Sequence, residues 1–362
     1  MKPPSPPRDR SIVANLLEGT HPGQLAATLS LSVLGGLAAL WIGIPAPLLI
    51  GGIVTVGIAS FFRFDTHLPN RLVNVAFVIV GLLLGSNVSE DTLALVGQWP
   101  FSMVGVAAGL VVMVGLTTLL MMRVFKLDPT TAYLCSVPGH LSMVMSMAVS
   151  GIGDAKRIVT IQSVRILFLT LLVPLLAMAL GLVPEHLTGA RVEMSVVTLV
   201  VLSAIAVAAG LILMRVQAPA PMVIGPMLVS VAGKLAGLYH GVLPQSVAAV
   251  GLIIIGAQIG GRMARVTLDD LKRDSIAGIV MTLIMVGITA LVALGLSLVM
   301  DMPLGQIWLG LAPGGLDAIG ALGLALGYDT AFIAAHQTWR LIILGVAIPL
   351  GPVLIRRRQR AG

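Results

Sequence analysis

Apolar runs long enough to cross a bilayer as helices, separated by short charged turns, recur along almost the whole chain. The first spans about Leu25–Ile44, where Pro45 and Pro47 break it, and a second reaches Phe62, beyond which Arg63, Asp65 and Arg71 mark a loop. A third covers Leu72–Val88 and ends at Glu90 and Asp91, and Thr92–Pro100 reads as amphipathic and interfacial. Phe101–Phe125, Thr131–Ser150 and Ile158–Gly181 follow. The pattern then recurs as Met194–Met214, Met222–Leu238, Pro244–Gly261, Ser275–Met300, Leu304–Leu326 and Ala331–Ile355. Nothing in it alternates with the period of two that a β-barrel requires.

Two sets of six segments suggest a duplication, and residue identities at an offset of 175 support one. Pro69 falls on Pro244, Gly81 on Gly256, Gly85 on Gly260, and Pro138-Gly139 on Pro313-Gly314. Asp154 falls on Asp329, Gln162 on Gln337, Arg165 on Arg340 and Pro174 on Pro349; with one residue of slippage Pro47 meets Pro221 and Gly51 meets Gly225. Apolar positions match by chance, but Asp, Gln, Arg and Pro in register do not. The expected units are 1–187 (an N-terminal tail and a first membrane repeat) and 188–362 (a second repeat and a basic tail).

Charge decides how the repeats run. If all twelve segments span, the repeats are parallel; if one per repeat dips in and returns, five span and the second repeat is inverted. With Lys2, Arg8 and Arg10 inside, inversion places the loops at 63–71, 123–128, 151–157, 215 and 262–273 and the tail Arg356–Arg360 on the cytoplasmic side. It leaves Arg191 outside, with Lys234 near the outer end of its helix, whereas the parallel arrangement exports most of the basic loops. The Lys and Arg bias therefore favours inversion. The expected fold is an all-α polytopic membrane protein with 5+5 transmembrane helices and one re-entrant or broken hairpin per repeat. It is expected to lie in an inner membrane with both termini cytoplasmic.

Composition agrees. The chain is 57% hydrophobic and 10% charged with mean hydropathy +1.03, against about 25% charged in soluble domains. That excludes a cytosolic enzyme or a soluble nucleic-acid-binding protein. The +7 net charge belongs to loops and termini. Met1–Gly23 is polar and Pro-rich and lacks the apolar core of a signal peptide. Cys135 is the single cysteine, and the six histidines show no ligand spacing, so no metal, cofactor or catalytic residue is expected.

The candidate chemistry lies at the repeated motifs. Pro138, Gly139 and His140, and Pro313, Gly314 and Gly315, interrupt apolar segments, because proline removes a donor and glycine loosens the backbone. Broken backbone at membrane depth persists where protein buries it or a watery cavity receives it, and half-helix N-termini there attract anions. A lone Pro-Gly reads more readily as a packing kink; two related ones favour paired breaks. Gln162 and Arg165, and Gln337 and Arg340, each share a helix face, with His336 beside the second pair. Their two readings stand level: guanidinium groups facing an anionic ligand, or braces for the hairpin carbonyls. Asp317, the one acidic residue well inside an apolar segment, reads first as a partner of Arg340 or His336 and second as a proton carrier; Ser142 is its counterpart. Met143, Met145 and Met147 read as gap fillers, and Gly256-x-x-x-Gly260 as helix packing.

The duplicated P-G-[GH]-L segment, followed by Asp, then Q-x-x-R and a Pro, resembles the bacterial AbrB membrane-protein family over nearly the whole chain. That family also carries the labels ammonia monooxygenase and AbrB family transcriptional regulator. Its pattern P-G-G-L-S-E-M has an acidic residue where this chain has Met143 and Ala318, and a glycine where it has His140. The architecture resembles ion-coupled carriers. The leading expectation is a secondary carrier for a small anionic solute, working by alternating access, with regulation of gene expression through an indirect route or a membrane monooxygenase as alternatives. The expected partners are the lipid bilayer and a small solute, with a coupling ion and a homo-oligomer left open and no direct contact with nucleic acid.

Overall fold

The computed structural model describes residues 22–66, 68–88, 96–139, 141–182 and 192–361. Among them the chain forms fourteen α-helices, with a single isolated β-bridge between Glu193 and Val242. In order these are α1 (Pro22–Ile42), α2 (Pro47–Phe61), α3 (Asn70–Ser86), α4 (Trp99–Arg123), α5 (Pro129–Ser136), α6 (Leu141–Val149) and α7 (Ala155–Ala179). They continue as α8 (Val196–Arg215), α9 (Pro221–Leu235), α10 (Gln245–Gly261), α11 (Leu268–Ser297), α12 (Leu304–Leu311), α13 (Leu316–Ala325) and α14 (Thr330–Ala361). Seven stretches are long and apolar enough to cross a membrane, including α4, α7, α11 and α14; α2, α3, α9 and α13 are shorter apolar helices. Apolar side chains such as Trp41, Phe101, Val196 and Leu291 stand exposed, as lipid-facing positions must. The chain is an all-α polytopic membrane protein.

Local signals set the helix starts. Asp128 accepts from the amides of Thr130 and Thr131, Asp154 from Arg157, Ser195 from Thr198 and Thr267 from Asp270. These caps satisfy orphan amides at the N-termini. Pro47 and Pro221 open α2 and α9, each preceded by an alanine in the left-handed region, Ala46 at φ 50° and Ala220 at φ 42°. The Thr267 cap starts α11 at Leu268, seven positions before the expected Ser275, so its first turns carry Asp269, Asp270, Lys272 and Arg273. Only Val96–Gln98 of the expected interfacial stretch is described before α4, as a short 3₁₀ turn.

Packing sorts the helices into two bundles, each drawing helices from both halves of the chain. One contains α1, α2, α3, α8, α9 and α10: α2 lies along α1 and α10, and α3 along α9 and α10. The other contains α4–α7 and α11–α14, with α11 against α4, α7 and α12, and α14 against α4, α12 and α13. Glycines bring the first bundle's backbones together, Gly35 against Gly51, Gly52 against Gly256, and Gly57 against Gly260. That is how helices associate where lipid removes the hydrophobic drive.

The second bundle is tied at one end by charge. Arg157 at the start of α7 donates through Nε (3.0 Å) and Nη2 (2.8 Å) to Asp274 of α11, whose other oxygen accepts from Arg273 at 2.9 Å. The Asp274 side chain is wholly buried while that of Arg157 is 23% exposed. Removing the carboxylate strands only a part-solvated cation, so Asp274→Ala is expected to cost about 2 kcal/mol, below the range for a fully buried pair. Thermal melting in detergent, compared with Asp274→Asn, checks this.

Candidate functional site

The Pro-Gly segments end helices. α5 stops at Ser136 and α6 restarts at Leu141; α12 stops at Leu311 and α13 restarts at Leu316. Each piece has eight to ten residues, on the order of 12–15 Å, well short of a bilayer. Both broken segments return to the level at which they enter. The Asp154 amide at the start of α7 donates to Thr131 Oγ1 at the start of α5 (2.8 Å), and the Asp329 amide before α14 donates to Gln306 Oε1 in α12 (3.1 Å). They are hairpins, not kinked spanning helices.

The hairpins enter from opposite ends of the molecule. The Tyr133 hydroxyl in α5 donates to the Ala347 carbonyl far along α14 (2.6 Å), and Tyr133 also packs on Gly351. Leu182, just past the far end of α7, packs on Gly305 at the start of α12. The tips approach the middle from both sides, Gly139 against Leu341 and Leu344 of α14, Gly314 against Leu169 of α7.

Breaking a helix leaves carbonyls without partners, and the Q-x-x-R pairs supply them. Gln162 Nε2 donates to the carbonyls of Leu134, Cys135 and Val137 at 2.8, 3.1 and 3.2 Å. Gln337 Nε2 donates to Leu309, Gly310 and Ala312 at 3.1, 3.2 and 3.0 Å. The sequence separations are 28, 27 and 25 in both cases. Arg165 Nη1 donates to Val137 O at 2.7 Å, and Arg340 Nη1 donates to the matching Ala312 O.

There the likeness stops. Arg340 Nη2 also donates to Gly314 O and to Gln337 Oε1, so both its terminal nitrogens are engaged. Among the described residues Arg165 makes the single bond to Val137, so its Nη2 is unbonded, and Gln162 Oε1 is buried without a partner; the Nε atoms of both arginines are buried and unbonded alike. The second brace is closed. The first keeps donors in hand.

Arg165, itself 3% exposed, lines a cavity of about 290 Å³ between the bundles, room for about ten waters. The hairpin bundle contributes Gly139, Arg165, Ile166, Gly314, Gly315, Leu316, Asp317 and Leu341; the other contributes Asn74, Phe77, Met214, Ala220–Val223 and Arg262. Met214, Ala220 and Arg262 sit at helix ends beside the 215–220 and 262–267 turns, so the cavity lies toward the end that carries the Arg157–Asp274 pair. Arg262 and Arg340 both fall within electrostatic range of Arg165.

Of the sequence candidates, Gly139, Arg165, Gly314, Gly315 and Asp317 line this cavity. Pro138 and Pro313 are buried at the breaks behind it. Gln162, Gln337 and Arg340 are buried in the bracing, with Arg340 2% exposed. His336 is elsewhere: Nε2 meets Ser102 Oγ at 2.6 Å, Nδ1 meets Phe332 O at 2.7 Å, and its ring packs on Trp99 and Phe332. Asp317 has no ion pair with Arg340 or His336, whose partners are those just named; its carboxylate stands over Gly315. His140 and the Ser142 side chain lie outside the described residues. Sequence reasoning missed Asn74, Ala220 and Arg262, which come from the bundle without hairpins; a positive-φ alanine has no sequence signature, and Arg262 read simply as a loop charge. Among the described residues no three His, Cys, Asp or Glu side chains converge as metal ligands.

A family described as "Transition state regulatory protein AbrB" matches residues 48–357. The chain is 26% identical over 330 residues to a protein of Escherichia coli (strain K12) named as a regulator, AbrB, covering 90% of this chain and 94% of that protein. It is 23% identical over 347 residues to YhjN of Bacillus subtilis (strain 168), covering 89% of this chain and 90% of that protein.

Proposed function

We propose that this chain, which belongs to the AbrB family, is a secondary carrier that moves a small anionic solute by alternating access. One observation carries the reading: a cavity between two bundles, at which both broken hairpins meet and which Arg165 lines with its Nη2 unbonded among the described residues. Half-helix N-termini and a guanidinium in a low-dielectric site stabilise a carboxylate or similar anion. The matched bracing at one offset and the opposite entry of the hairpins support an inverted duplication. The cavity is one-sided. Ala220 lines it while its counterpart Ala46 is 5% exposed in the core. A shift of one bundle against the other would exchange their roles and expose the site to the opposite side.

The Lys and Arg excess in the loops at this end supports a cytoplasmic open side. Lys156 and Lys272 are both exposed at that end. Single cysteines there, in a background lacking Cys135, are expected to react with a membrane-impermeant maleimide in inside-out vesicles and not in intact cells. Labelling in intact cells would reverse the orientation.

The solute site is tested by thermal stabilisation of the purified protein across small carboxylates, phosphate, sulfate and amino acids. A hit is expected to vanish in Arg165→Gln, and counterflow in proteoliposomes is expected to vanish with it. Stabilisation that survives Arg165→Gln overturns the anion assignment. The word "regulator" in the relative's name supports a second role in gene expression. In this reading that role is indirect, through the internal level of the transported solute.

A further inference from the structure

The cavity is lined by charges of both signs around a small apolar space. Arg165 and Arg262 are its cations, and Asp317 is its carboxylate. Asp317 is half-buried in the first turn of α13, and no ion pair or hydrogen bond engages its carboxylate among the described residues. A site built for a simple anion gains nothing from an acidic group there, which repels the ligand at short range. The acid is explained when the ligand brings a cation of its own. The rest of the lining is apolar, with Phe77, Ile166, Met214, Met222, Val223 and Leu341.

We infer that the solute is a zwitterion with an apolar body, a neutral α-amino acid or a compound of that form. Its carboxylate is held by the open guanidinium of Arg165, its ammonium by Asp317, and its side chain by the Phe77–Met222 wall. The inference rests on the carrier reading and narrows it to one substrate class. Charge balance adds a consequence: a zwitterion enters without changing the net charge of the cavity, so its binding does not require a proton to reach Asp317.

The test compares ligands that differ by one group. Melting temperatures of the full-length protein in detergent are measured with alanine, valine, leucine and methionine, with the matched acids lacking the amine (4-methylpentanoate for leucine), and with the matched amines lacking the carboxylate (3-methylbutylamine). At least one amino acid is expected to stabilise at concentrations tenfold or more below its matched acid, and the amines are expected to do nothing. Asp317→Asn is expected to bring amino acid and matched acid to equal, weak potency, while Arg165→Gln removes both. Gly315→Ala serves as a second variant: a methyl group there meets the Asp317 carboxylate and displaces it, so the preference for the amine is expected to fall while the matched acid still binds. Equal potency in the unaltered protein, or a preference untouched by both Asp317→Asn and Gly315→Ala, overturns the zwitterion and leaves the anion carrier standing. No stabilisation by any carboxylate, amino acid or inorganic anion overturns both.

Discussion

Gln337→Leu is expected to destabilise the protein by on the order of 3 kcal/mol or more, the largest loss of any single brace substitution. The amide serves three carbonyls at the α12 break and accepts from Arg340. Leucine fills the space and returns none of these bonds, and each buried group left unpaired costs about 1–3 kcal/mol. The same change at Gln162 is expected to cost less, because its Oε1 has no partner to lose. Arg340→Met is expected to approach Gln337→Leu in effect, since it orphans Gly314 O and Gln337 Oε1 and removes one of the two donors to Ala312 O. The double variant is then expected to cost less than the sum, as members of one network do. Melting temperature and denaturant titration in detergent measure all four. Equal losses at positions 162 and 337 would contradict the open first brace.

Gly256→Leu is expected to be as severe by a different route. A Cβ at this position sits 2.7 Å from Leu49 O and 3.3 Å from the Gly52 Cα. Backbone lies opposite, and backbone cannot swing aside like the end of a side chain. Gly256→Ala is expected to cost about 1–3 kcal/mol as an overpacked contact, and the leucine to prevent α2 and α10 from closing. Loss of a monodisperse peak in size-exclusion chromatography for the leucine, with retention for the alanine, is the expected outcome. Gly287, with nothing within 4 Å of its Cβ position, is the control: Gly287→Ala is expected to be neutral or slightly stabilising, since alanine is the better helix former.

Much of this was legible before any coordinates. Pro138-Gly139 and Pro313-Gly314 break helices because proline and glycine act locally, and the Gln and Arg three positions apart share a face by helical geometry alone. The bracing role of these pairs stood level with ligand binding in the sequence. The structure divides the two, with Arg340 spent on carbonyls and Arg165 only partly so. The far wall of the cavity was not legible, because Asn74, Ala220 and Arg262 reach it through packing between helices that are far apart in the chain. Nor was the place of His336, since a histidine beside apolar residues looks the same whether it faces a cavity or meets a buried hydroxyl such as Ser102. Asp317 was expected to be paired because buried charge needs a partner; the cavity beside it removes that need.

The bracing also constrains the order in which the protein is made. A helix of eight to ten residues is too short for the insertion machinery to retain as a span, so neither hairpin lodges by itself. Each waits for donors that emerge 25 to 28 residues later in the chain. For the second hairpin those donors lie on α14, so α12 and α13 complete their seating only once α14 has emerged. A ribosome stalled before Gln337 therefore holds a nascent chain with three bare carbonyls in the membrane, a natural substrate for membrane quality-control proteases.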